Sequence, residues 1–92
     1  SYIRTYDFVG LVLDYDKETK IATIEQRNRI FVGDEVEFFG PRDGFETFKI
    51  EKMYDDKGEE IDVAPRAKQI IKMPLPFEVK PWDIMRKQLS DE

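Results

Sequence analysis

Ile30-Phe31-Val32-Gly33-Asp34-Glu35-Val36-Glu37-Phe38-Phe39-Gly40-Pro41 is the stretch in which turn chemistry, strand alternation and a sharp stop all agree. Gly33 supplies the positive φ that a tight corner needs, and the Asp34 carboxylate can bond back to the backbone just ahead of it. After the corner, Val36 and Phe38 alternate with Glu35 and Glu37, a period of two that a helix cannot accommodate. The two apolar residues are expected to face inward and the two glutamates to face water. Gly40-Pro41 then stops the strand, because proline has no N–H to give a sheet ladder.

The same punctuation recurs on either side. Residues 8–13, Phe-Val-Gly-Leu-Val-Leu, are apolar on both faces, so this strand is expected to be covered twice, with Gly10 marking a bend or bulge. A polar connection over residues 14–20 leads to a second strand at 21–25. Residues 42–44 form a turn by composition. Residues 45–53 read as one further strand with Phe48 and Ile50 on one side, followed by a hairpin loop at 54–59 in which Gly58 takes positive φ. The acids of that loop lack the ligand order of a calcium-binding EF-hand. Ile61-Asp62-Val63 is short and is broken by Ala64-Pro65, and a strand over 69–73 ends at Pro74. Val79-Lys80-Pro81-Trp82-Asp83-Ile84-Met85-Arg86 echoes the opening stretch: an apolar residue, a corner, an aspartate and a run of hydrophobics.

The chain has 92 residues, enough for one small core; a domain of this size buries about 60–65 % of its unfolded surface. Seven Phe, four Tyr and one Trp supply much of the filling. Cysteine and histidine are both absent, which excludes disulfides, thiolate nucleophiles, Cys/His zinc sites, Cys-held clusters and a histidine general base within this segment. No apolar run approaches the roughly 18 residues of a membrane helix and no signal peptide opens the chain, so a cytoplasmic location without membrane contact is expected. About seven short strands without a helical period leave exposed edges if laid flat. The fold expected is therefore all-β, a small closed antiparallel barrel of about 6–7 strands. Residues 1–6 read as a linker from an upstream catalytic domain, 7–87 as the barrel and 88–92 as a disordered tail.

Net charge is −5, unevenly spread. Residues 1–63 carry nine Lys/Arg against sixteen Asp/Glu, whereas residues 64–89 carry six against two. The acidic whole argues against broad nucleic-acid affinity, but the basic end can form a local patch. Gln26-Arg27-Asn28-Arg29 is the least core-like run of the first half and offers guanidiniums and amides suited to phosphate, carboxylate or a partner's backbone. The candidate partner-binding residues are Arg27, Asn28 and Arg29 here, with Lys72, Lys80, Trp82 and Arg86 further on. An RNA-binding module would add Lys68 and Lys87 as phosphate contacts and use Trp82 or a tyrosine for stacking. Carboxylates are plentiful but fall in turns or on outward faces. No catalytic residue, metal ligand or cofactor-binding residue is assigned.

Taken together, Tyr6-Asp7-Phe8-Val9-Gly10, the 26–29 turn, Val32-Gly33-Asp34-Glu35-Val36-Glu37, Asp62-Val63-Ala64-Pro65 and Pro81-Trp82-Asp83-Ile84-Met85-Arg86 resemble one family: the C-terminal domain of the collagenase-like U32 peptidases, of unassigned catalytic type. The likeness runs from Tyr6 to about Lys87. The glycine-aspartate corner also resembles the second-domain barrel of translation elongation factors. The family resemblance implies a peptidase-class parent whose catalytic region lies upstream, and some relatives are implicated in hydroxylation of RNA or of a quinone precursor. The segment itself is then expected to be a non-catalytic accessory barrel that docks on its upstream catalytic domain or recruits a protein substrate. The alternative is an RNA-binding module of an RNA-hydroxylating member.

Overall fold

A computed structural model of the chain describes residues 4–40, 45–64 and 68–91. The described chain is all-β. Eight strands form one antiparallel sheet: β1 (Arg4–Asp16), β2 (Ile21–Gln26), β4 (Glu35–Phe39), β5 (Phe45–Lys49), β6 (Met53–Asp55), β7 (Glu60–Ile61), β9 (Ile70–Pro74) and β10 (Ile84–Asp91). Their spatial order is β5-β4-β10-β1-β2-β9-β6-β7. Two further short strands, β3 (Ile30–Phe31) and β8 (Val63–Ala64), pair with each other. The 42–44 turn and the Pro65 break expected from sequence lie outside the described residues.

The opening stretch folds as its chemistry dictates. Gly33 has φ +100°, the Phe31 amide donates to Asp34 Oδ2 at 3.0 Å, and the Asp34 amide donates to Phe31 O at 3.1 Å. Val36 and Phe38 are buried, Glu35 is exposed, and Glu37 is half-buried against Arg86. Gly58 likewise takes positive φ in the loop between β6 and β7.

The closed barrel expected from sequence is not formed: the sheet curls into a half-barrel whose edge strands, β5 and β7, do not pair with each other. The corner at residues 31–34 spans the gap instead. Gly33 N donates to Ile50 O and Ile50 N to Asp34 O, just beyond β5, while Val32 N donates to Asp62 O, just beyond β7. The corner therefore ties together the chain segments that follow the two edge strands, without a ladder between the strands themselves. The same bonds explain a second difference. Residues 45–53 were expected to be one strand, but Ile50 is drawn to the corner, so the chain bends there and Met53 opens a separate strand on the far side of the sheet.

The long central strand β1 sets the curvature. Its register with β10 skips Val9, since Phe8 faces Arg86 and Gly10 faces Met85. Its register with β2 skips Leu13, since Val12 faces Ile24 and Asp14 faces Thr23. Each extra residue bends the strand and increases its twist, which wraps the sheet around one core. Val9, Val12, Ile24, Ile71, Met73 and Met85 fill that core, with Phe77 packed edge-on against Phe38 and Phe48 at centroid distances of 5.8 and 6.0 Å. At the C-terminal end, β10 runs to Asp91 because Arg4 and Tyr6 of β1 give it partners.

Gly10 is required by space rather than by φ. A Cβ there would lie 2.8 Å from Ile24 Cγ2 and 3.1 Å from Met85 Sδ, both in the packed centre. Gly10→Ala is expected to destabilise the domain by about 1–3 kcal/mol, measured by urea denaturation, because neither neighbour can withdraw without displacing the core.

Candidate binding surface

The turn between β2 and β3 is saddled on the first bulge of β1. With Val9 left out of the β10 ladder, its carbonyl accepts from the amides of Arg27 at 2.8 Å and Asn28 at 3.4 Å. The Asn28 side chain donates from Nδ2 to Phe8 O at 3.1 Å. Asn28 thus anchors the turn and leaves the two flanking arginines to point elsewhere.

Gln26 is the buried root of this turn, 1 % exposed. Its amide donates to Gln69 O, its carbonyl accepts from Lys68 N, and its side-chain Nε2 donates to Ala64 O. Its Oε1 is buried without a partner among the described residues. The bond from the Lys68 amide brings the backbone of a third basic residue next to the turn that carries Arg27 and Arg29.

Arg27 lies over the Phe8 ring at 5.5 Å and pairs with Glu25 at 3.3 Å. A surface pair of this kind is worth under about 1 kcal/mol and yields readily to a stronger acceptor. Arg29 is exposed and makes no ion pair among the described residues. Phe8 and Phe31 are 41 % and 42 % exposed, and Val32, next to Phe31 at the corner, is exposed as well. Lys87 lies 5.6 Å from the Phe31 ring and 3.1 Å from Asp34 Oδ2. This end of the half-barrel therefore carries Arg27 over the part-exposed Phe8 ring and Lys87 over the part-exposed Phe31 ring, with Arg29 and Lys68 in the adjoining segments.

The remaining sequence candidates lie elsewhere. Arg86 is held at 2.7 Å by Glu37 and stacked 3.9 Å from the Tyr6 ring and 4.8 Å from Phe39, on the outer face of the sheet. Lys72 stands between Thr23 and Tyr54 in a shallow cleft that also includes Asp14 and Asp16. Lys80 and Trp82 belong to the turn before β10, where Trp82 is 71 % exposed. Sequence reading missed Phe8 and Phe31 as surface groups, because an apolar run signals burial and does not reveal which of its residues the bulge turns outward. Among the described residues no group of three or more acidic or other ligating side chains is placed to hold a metal ion. No described helix is long and apolar enough to cross a membrane.

Comparison with known proteins identifies the lineage. Residues 4–86 match the model of the "Peptidase family U32 C-terminal domain". The chain belongs to that family and forms its C-terminal domain. It is 49 % identical over 83 residues to "tRNA hydroxylation protein P1" of Bacillus subtilis, which covers 90 % of this chain but only 20 % of that protein. The chain therefore spans about a fifth of the length of this relative. Two crystal structures of the C-terminal domain of a Geobacillus thermoleovorans protein described as a U32 peptidase share the fold. One has a TM-score of 0.85 and 49 % identity, covering 88 % of this chain and 99 % of its own. The other has a TM-score of 0.84 and 45 % identity, covering 91 % and 93 %. In that relative the domain crystallised as a separate piece.

The Gln26 site gives a test of how this end is held. Gln26→Glu puts a carboxylate against the Ala64 carbonyl in a buried site, and is expected to destabilise the domain by more than about 2 kcal/mol at pH 7. Burial raises the new group's pKa, so the loss should shrink as pH falls through that value, where the protonated acid can donate to Ala64 O. Thermal melts from pH 4 to 8 measure it.

Proposed function

We propose that this chain is an accessory RNA-recruiting domain of a tRNA-hydroxylating member of the U32 family, holding the nucleic acid while chemistry proceeds in a region outside the segment. The observation that carries this reading is the 49 % identity, across 90 % of the chain, to a protein named for tRNA hydroxylation. The geometry supports it. Arg27, Arg29 and Lys68 are brought to one end through the backbone bonds of Gln26 and Val9, with the exposed Phe8 tied to Asn28 and the exposed Phe31 two residues after Arg29. Guanidinium and ammonium groups contact phosphate oxygens, and exposed aromatic rings stack on bases, the combination used by single-strand binders. The acidic charge elsewhere confines binding to this end, so contact is local and moderate in strength.

A second reading follows from the family's description as a peptidase: the same exposed Phe8, Phe31 and Val32 would hold an unfolded protein substrate for a proteolytic region. Charge separates the two. Binding of an unmodified tRNA transcript should weaken with salt, with a log–log slope of about −2 for three phosphate contacts. Replacing Arg27, Arg29 and Lys68 together by alanine should flatten that slope and lower affinity at least tenfold, as read by fluorescence anisotropy. Absence of tRNA binding at low ionic strength, together with salt-insensitive capture of casein or gelatin fragments, would replace the RNA reading with the protein one.

A further inference from the structure

Two corners of this fold are built on one plan. In the first, Phe31 N donates to Asp34 Oδ2 at 3.0 Å, Asp34 N donates to Phe31 O at 3.1 Å, and Gly33 has φ +100°. In the second, Lys80 N donates to Asp83 Oδ2 at 3.0 Å, Asp83 N donates to Lys80 O at 3.0 Å, and Trp82 has φ +77°. Pro81 fixes the preceding φ, so the second corner is a type II turn, whose third position takes positive φ and ordinarily glycine. The strands that leave the two corners, β4 and β10, are neighbours in the sheet. The chain thus meets the same backbone demand twice, once with glycine and once with its bulkiest side chain.

Packing does not explain the choice, because the ring is 71 % exposed. Nor does Trp82 belong to the apolar end. Its amide bonds Val12 O, four residues along β1 from Phe8, a separation of about 13 Å at strand spacing. An isolated indole suits a flat ligand better than a broad apolar partner. Its mount is firm: Val12 N donates to Asp83 O at 2.9 Å, and the Asp83 carboxylate fills the space beside Gly40, where a Cβ would lie 2.3 Å from Oδ1. Lys80, exposed two residues earlier, supplies a cation for a phosphate.

We propose that the Lys80–Asp83 corner presents Trp82 as a stacking platform for an unpaired nucleobase, a second contact on RNA held at the charged end. This rests on the RNA function proposed above. An indole face stacks on any base, and the hydrogen-bonded corner fixes the backbone that carries the ring, which lowers part of the ordering cost of binding.

Trp82 is the chain's single tryptophan, so its fluorescence reports on this ring alone. A single-stranded RNA decamer should quench it, and the same decamer in duplex form should do so far less. Trp82→Gly should lower affinity for the single strand by about fivefold or more, the loss of one stacked base, while raising the melting temperature because glycine relieves the strained φ. Trp82→Phe should retain part of the affinity. If the decamer binds through Arg27 and Arg29 but leaves the fluorescence and the Trp82→Gly affinity unchanged, the platform is refuted and the RNA function stands. Equal quenching by duplex, quenching by casein fragments instead of RNA, or a lower melting temperature in Trp82→Gly would also refute it. Absence of RNA binding at low salt would remove both proposals.

Discussion

The bond from the Phe31 amide to the Asp34 carboxylate fixes the corner on which the rest of the half-barrel depends. With the corner set, Gly33 and Asp34 reach Ile50 beyond one edge strand and Val32 reaches Asp62 beyond the other. Three backbone hydrogen bonds thus bridge the gap that a full ladder would close in a closed barrel. The same corner launches β4, whose inward residues Val36 and Phe38 meet the core. A carboxylate acceptor suits this place because it satisfies an amide that no strand neighbour can reach.

Much of this was legible in the chain. The corner, the alternation of β4, and the positive φ at Gly33 and Gly58 followed from residue types whose backbone preferences are local. The bulge near Gly10 was signalled by a glycine inside an apolar run, and the echo between residues 30–37 and 79–86 proved to be a shared turn geometry. Closure of the barrel was not legible, because it depends on which distant backbone groups reach the two edges. The break at Ile50 was hidden for the same reason. Nothing in the alternation of residues 45–53 reveals that Asp34, sixteen positions earlier in the chain, claims that amide.

The candidate surface was half visible. Arg27, Asn28 and Arg29 were marked by their polarity within an apolar neighbourhood, but their roles diverge: Asn28 anchors the turn, while the arginines flank it. Arg86 was marked by charge alone, and the fold gives it Glu37 and two aromatic rings. Phe8 and Phe31 carried no signal, since exposure of an apolar residue is decided by bulges and corners that composition does not record.

The pairing of β1 with β10 joins the first described strand to the last. During synthesis the central strand must wait, with one flank open, until almost all of the domain has left the ribosome, since β10 also supplies the inner neighbour of β4. Contacts so distant in sequence make folding slow compared with a helical domain of equal length. A nascent chain stalled before β10 would expose two unfilled strand edges at once, the condition under which chaperone capture or misassembly competes with folding.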